Sequence, residues 1–110
     1  MKIYAAPALA ASAVAAHAAR PATALVHDSD DARVVIFRIE QGQQVPVHTS
    51  VSTVLLFVIS GRGVVGGAGG DQVVSPGDII AYDANEPHGM RASNEQLVIA
   101  AVIAPRPAAH

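Results

Sequence analysis

Two segments of the chain repeat one pattern, in which a turn and a short apolar run lead to a histidine. Residues 42–48 (GQQVPVH) carry His48, and residues 76–88 (PGDIIAYDANEPH) carry His88 after a second turn at residues 83–87. Because a strand places its side chains alternately on the two faces of a sheet, histidines on two different strands can meet inside a closed β-fold. The pattern therefore predicts a β-fold with a metal or ligand site at His48 and His88.

The chain after residue 30 favours strands throughout. Residues 33–40 (RVVIFRIE) are rich in β-branched side chains, residues 53–60 (TVLLFVIS) are almost wholly apolar, and residues 96–104 (QLVIAAVIA) form a long apolar run. A short strand over residues 45–49 contains Pro46, which places that strand at a sheet edge or a bulge. About seven or eight short strands separated by turn signals predict an all-β sandwich or barrel.

A glycine-rich loop lies between two valine-rich runs in residues 64–74 (VVGGAGGDQVV). Closely spaced glycines can cradle a phosphate, but the lysine of a P-loop is missing and no helical pattern follows. The segment therefore predicts a hairpin with a glycine-rich tip.

Composition excludes several classes of function. With 110 residues, 51% hydrophobic and 15% charged, the chain is long and apolar enough for one packed domain. A net charge of −2 without any lysine and arginine cluster predicts neither nucleic acid nor an anionic membrane as a partner. Because there is no cysteine, disulfides, zinc ribbons and thiol catalysis are excluded.

The first thirty residues form an alanine-rich lead segment. Residues 1–30 are interpreted as an edge element or as a weak signal-like stretch, since the apolar run is short and broken by Tyr4, Pro7 and Ser12. The predicted barrel domain covers residues 31–105, and residues 106–110 are a C-terminal tail. The expected location is cytoplasmic, with a cleaved signal as the alternative.

The two histidine segments resemble the motifs of single-domain cupins, the RmlC-like jelly-roll barrels of the cupin 2 type. The first cupin motif contains a glycine, two histidines, a glutamate and a second glycine at fixed spacing. Gly42, His48 and Gly61 fit that spacing, whereas Ser50 stands at the second histidine position and Val54 at the glutamate position.

The second cupin motif is matched by Gly77 and His88. Asp83 replaces its proline, Asn85 replaces its inner glycine, and Ala92 replaces its asparagine. Asparagine tolerates the left-handed backbone that glycine normally supplies, so Asn85 is expected to keep the turn. The resemblance covers roughly residues 33–104 and implies a small jelly-roll barrel.

The resemblance also implies a degenerate metal site. Cupins usually hold a divalent metal with three histidines and a carboxylate, and only His48 and His88 of these four ligands remain. Two imidazoles predict weak binding of a divalent transition metal (Ni, Cu, Zn or Fe), or none. Glu86 or Asp83 could replace the missing carboxylate only if the turn before His88 folded inward.

Strand alternation predicts the rest of the pocket. Ser50 is expected to face inward with His48, and Met90 with His88, while Val54 and Leu56 are expected to line the opposite wall together with Val58. Such a cavity suits a small molecule with an apolar body and one polar or anionic head. The predicted ligand-binding residues are Ser50, Val54, Leu56 and Met90, and the predicted metal ligands are His48 and His88.

Three functions remain open from the sequence. The first is a module that binds a small molecule in its barrel, and the second is a metal-dependent cupin enzyme of the dioxygenase or isomerase type with a non-standard third ligand. The third is a purely structural barrel. The resemblance also implies a homodimer, because long apolar strands with few charges would leave exposed sheet edges on a monomer.

Overall fold

The computed structural model describes residues 1–107, and His110 with the end of the predicted tail lies outside the described residues. Within residues 1–107 the chain folds into one helix and nine strands. The elements in chain order are α1 Ala6–Ser12, β1 Ala22–Asp28, β2 Arg33–Ile39, β3 Gln44–His48, β4 Thr53–Ser60, β5 Gly63–Gly67, β6 Gly70–Val74, β7 Ile79–Tyr82, β8 His88–Ala92 and β9 Leu97–Ala104.

The strands form two antiparallel sheets that enclose the core. One sheet has the order β1-β2-β9-β4-β7, and the other has the order β3-β8-β5-β6. Apart from β1-β2 and β5-β6, the neighbours in each sheet are distant in sequence, as in a jelly roll, and this architecture confirms the predicted all-β jelly-roll barrel. β5 and β6 form the predicted glycine-tipped hairpin, with Gly67 paired to Gly70.

Strand β9 lies in the middle of its sheet and contributes most to the core. Leu97 and Ile99 are fully buried between the sheets, and Leu56 on the neighbouring β4 is buried beside them. The alternate residue Val98 is buried on the outer face of the same sheet. Because β9 is covered on both faces, its sequence is apolar throughout instead of alternating.

Helix α1 covers part of that outer face. Ala10 packs against Ile36 and Val98. The guanidinium of Arg38 donates to the carbonyl of Ala10 at 2.6 Å and to that of Ala13 at 3.2 Å, so it satisfies carbonyls that the end of a helix leaves free. No helix within residues 1–107 is both long and apolar enough to span a bilayer.

Strand β1 lies inside the segment interpreted as a lead. It pairs antiparallel with β2 and forms one edge of the larger sheet, with Thr23 opposite Phe37. The sheet therefore begins at Ala22, earlier than the predicted domain boundary at residue 31. The β1 sequence (ATALVHD) has little β-branched character, and its pairing with β2 compensates for this weak local signal.

Candidate functional site

A cavity of about 540 Å³ lies between the two sheets. The predicted ligand-binding residues and metal ligands all line it; these are His48, Ser50, Val54, Leu56, His88 and Met90. Its wall also includes Phe37 from β2, Ile103 from β9, and Pro107. Among the described residues that line the cavity, none is Asp, Glu, Lys or Arg, so the site is apolar apart from imidazoles and hydroxyls.

The position of His48 depends on a β-bulge. Val45 faces Met90 and His48 faces His88, so three steps along β3 correspond to two steps along β8. Pro46 lies inside this irregularity, where its missing N–H removes no ladder hydrogen bond. Without the extra residue, Val47 would stand opposite His88, so the bulge is what brings the two histidines together.

Ser50 lines the cavity from a loop, whereas the sequence predicted that it would do so from a strand. Strand β3 ends at His48, so Ser50 belongs to the loop that follows the strand. The prediction that Ser50 faces inward because it lies two residues after His48 on the same strand is therefore wrong in its reason. The Ser50 hydroxyl oxygen accepts the backbone N–H of Ser52 at 3.1 Å. Its own proton is not used in that bond, and a ligand in the cavity can accept it.

The two imidazoles are in contact. Their ring centroids are 4.2 Å apart and their planes are tilted by 59°. His88 is buried, with 7% of its surface exposed, whereas His48 is exposed. The pair therefore extends from the mouth of the cavity towards its interior.

Both imidazoles are oriented in the same way by the backbone. Nδ1 of His48 lies 2.9 Å from the carbonyl oxygen of Pro46, and Nδ1 of His88 lies 3.0 Å from the carbonyl oxygen of Glu86. A carbonyl oxygen only accepts, so Nδ1 donates in both cases. In a neutral imidazole the other nitrogen, Nε2, then carries the free lone pair.

The buried Tyr82 ring packs against the imidazole of His88. Its ring centroid is 5.1 Å from that of His88, and its hydroxyl donates to the carbonyl of Gly66 at 2.7 Å. Burial raises the pKa of the Tyr82 phenol above its usual value, and the Glu86 carboxylate raises this pKa further. Tyr82 is therefore a neutral donor at neutral pH, and its bond to Gly66 ties β7 to the opposite sheet.

The turn before His88 does not supply the missing carboxylate. An oxygen of the Glu86 carboxylate accepts the backbone N–H of Asp83 at 3.0 Å and so closes the turn, while Asp83 itself is exposed. Across residues 1–107, no group of three or more His, Cys, Asp or Glu side chains is placed to hold a metal ion. Within the described residues, the His48 and His88 pair offers two imidazoles with no carboxylate among the side chains that line the cavity beside them.

Phe37 and Ile103 also line the cavity, and both lie on strands whose inward residues follow the same alternation. Phe37 lies two residues before the buried Ile39 in β2, and Ile103 lies two residues after the buried Ala101 in β9. Extending the period-2 argument to both strands would have found them. Pro107 follows the last strand, and no local pattern indicates its position.

The chain matches the family described as the cupin domain over residues 35–103. It belongs to that family. The match confirms the predicted single-domain cupin, and the two sheets show that the RmlC-like jelly roll is retained although half of the usual ligand set is replaced.

Solved cupin-like structures superpose over nearly the whole chain. The protein TT1209 from Thermus thermophilus is 25% identical, with 97% of this chain and 100% of that chain covered at a TM-score of 0.86. An RmlC-like cupin from Desulfovibrio desulfuricans is 29% identical, with 86% and 91% covered at a TM-score of 0.74. A double-stranded β-helix protein from Klebsiella pneumoniae is 23% identical, with 96% and 90% covered at a TM-score of 0.82. No curated protein matches the chain.

Proposed function

We propose that this cupin binds a small organic molecule in the cavity between its two sheets, beside His48 and His88. The observation that carries the proposal is an apolar cavity of about 540 Å³ in which two imidazoles lie in contact. This volume is within the range of about 300–1,000 Å³ that is typical of small-molecule sites. An apolar wall with few polar groups at one end favours a ligand with an apolar body and a single polar head.

The same two imidazoles support a second, weaker role in metal binding. Their free Nε2 atoms are suitable donors for Ni, Cu, Zn or Fe, but two neutral donors without a carboxylate fit only a partial site that is completed by water or ligand. A divalent ion held there would supply Lewis-acid or redox chemistry. The alternative function is therefore a metal-dependent cupin enzyme of the dioxygenase or isomerase type.

Metal binding distinguishes these two functions. We expect tag-free protein to contain little metal by mass spectrometry, and to bind added Ni²⁺ weakly in calorimetry. The double variant His48→Ala/His88→Ala should bind Ni²⁺ at least about tenfold less tightly, a change of about 1.4 kcal/mol. His27→Ala is the matched control, because His27 is an exposed histidine of β1 that lies outside the cavity.

Near-stoichiometric metal that copurifies with wild type and is lost from the double variant would favour the enzyme. Equal Ni²⁺ affinity of the double variant and wild type would show that the His48 and His88 pair is not the binding site. A loss of affinity in His27→Ala as large as in the double variant would contradict the assignment in the same way.

We also propose a homodimer formed through exposed sheet edges, and a cytoplasmic location. β1 and β3 are edge strands, and Leu25 in β1 and Val47 in β3 are 60% and 64% exposed. Exposed apolar side chains on unpaired edges favour association.

The alanine-rich residues 6–12 pack on the sheet through Ala10, which supports a cytoplasmic location that cell fractionation would test.

Sedimentation equilibrium tests the dimer. We expect wild type to have twice the 11.2 kDa mass of the chain, and Leu25→Lys/Val47→Lys to have the mass of one chain. Val73→Lys is a matched control, because Val73 is 74% exposed on β6, the edge strand at the opposite end of the sheet from β3. A monomeric wild type would contradict the dimer, and a monomeric Val73→Lys variant would contradict its assignment to β1 and β3.

A further inference from the structure

We infer that the cavity selects a neutral ligand with a hydroxyl donor on an apolar ring, a phenol in the simplest case, and that Nε2 of His48 or of His88 accepts the hydrogen bond from this hydroxyl. The inference rests on the proposed small-molecule function. The sequence predicted a polar or anionic head on the ligand, and the structure favours one chemical class, a neutral hydroxyl. In this role the two histidines require no metal.

The hydrogen-bonding character of the two imidazoles favours a donor on the ligand. The carbonyls of Pro46 and Glu86 accept from Nδ1 of each ring, so in the neutral imidazoles both Nε2 atoms are acceptors. Among the described residues, no side chain donates to either Nε2 atom. Two adjacent acceptors are complemented by a donor on the ligand, because an acceptor on the ligand would be repelled by the lone pairs of both Nε2 atoms.

The cavity favours a ligand head without a net charge. A carboxylate head would enter an apolar cavity whose described lining residues include no Lys or Arg. Arg91 and Arg106, on β8 and just after β9, instead form ion pairs with Asp71 and Asp28. Beside two neutral imidazoles either charge would be buried without an opposite charge, which is costly, because no Asp, Glu, Lys or Arg of residues 1–107 lines the wall. The cavity therefore favours a neutral molecule.

The polar groups of the cavity favour a hydroxyl on the ligand. The Ser50 oxygen already accepts the N–H of Ser52, so the Ser50 proton is free to be donated within the cavity. A ligand hydroxyl can donate to an imidazole and accept from Ser50 at the same time, whereas an ether can only accept and an ammonium can only donate. Among simple neutral heads, a hydroxyl complements both kinds of group.

The apolar wall of the cavity favours an aromatic ring as the body of the ligand. Phe37, Val54, Leu56, Met90 and Ile103 surround the cavity from both sheets. The volume of about 540 Å³ exceeds the roughly 150 Å³ of a cavity known to hold benzene. Aromatic rings pack well against Phe side chains and against the sulfur of Met, so a ring of one or two cycles suits this wall.

Three probes of nearly the same shape test the donor requirement on the full chain after treatment with EDTA. 2-Naphthol has a hydroxyl donor, 2-methoxynaphthalene has only an acceptor, and 2-naphthoate has an anionic head. We expect 2-naphthol to bind at least tenfold more tightly than either of the other probes. Naphthol fluorescence provides a second measurement, because a hydroxyl bonded to a base releases its proton on excitation and emits as naphtholate.

The variant His48→Ala/His88→Ala should abolish both the preference and the naphtholate emission, while the control His27→Ala should keep both. Binding of 2-naphthoate or 2-methoxynaphthalene as tight as that of 2-naphthol would overturn the donor inference and leave small-molecule binding intact. Failure of all three probes to bind wild type would contradict the proposed function itself. A preference that survives in the double variant would show that the two histidines do not accept the hydroxyl proton.

Discussion

Replacing Gly61 with alanine is expected to unfold the barrel or to lower its free energy of unfolding by on the order of 3–5 kcal/mol. A Cβ atom at this position would overlap the carbonyl oxygen of Gln96, and φ of Gly61 is +79°. The obstacle is backbone at the start of β9, the most buried strand, and it cannot turn aside as a flexible side chain would. Domains of this size have only about 5–15 kcal/mol of stability in total.

Gly42 provides the matched control. Its φ of +87° is as unfavourable for alanine, but a Cβ there would meet nothing within 4 Å. Gly42→Ala should therefore cost only the strain of the left-handed backbone, about 1–2 kcal/mol. Urea unfolding followed by far-ultraviolet circular dichroism measures both variants, and equal losses of stability would show that backbone strain alone, without the close approach of β9, explains the need for glycine.

The fold was predictable because the local signals agree with one another. Gly42, Gly61 and Gly77 were placed at turns by the motif spacing, and all three have positive φ values, of 87°, 79° and 93°. Asn85, expected to replace a glycine in the left-handed region, has φ of 67°. These residues lie in the turns before β3, β5, β7 and β8, and the apolar runs between the turns determine which faces are buried.

Other features depend on contacts that no short window of sequence contains. The bulge at Pro46 sets the register of His48 against His88, and register follows from the pairing of β3 with β8. Pro107 joins the cavity wall only because the chain after β9 returns to the barrel, where the buried Ser52 hydroxyl donates to the carbonyl of Pro105 at 2.6 Å. The Nδ1 bonds to Pro46 and Glu86 likewise depend on backbone positions that only the folded turns provide.

The double variant Ser50→His/Val54→Glu is expected to convert the partial site into a tight metal site. Both positions line the cavity with His48 and His88, and together the four side chains would restore three imidazoles and one carboxylate. Metal-free variant should be less stable than wild type, because Val54 is 4% exposed in an apolar core and a carboxylate buried there has no counter-charge. Added Ni²⁺ or Mn²⁺ should reverse this loss.

Thermal unfolding with and without metal measures the effect. At a metal concentration about one hundred times the dissociation constant, binding to the folded state adds about 2.7 kcal/mol, which raises Tm by roughly 10 °C in a domain of this size. Wild type should shift by much less, and the single variant Ser50→His, with three imidazoles and no new charge, should be intermediate. A double variant that is destabilised but unresponsive to metal would show that side chains at positions 50 and 54 do not converge on the histidines. In that case the cavity has diverged in shape as well as in ligands, which would favour an organic molecule as its occupant over an ion.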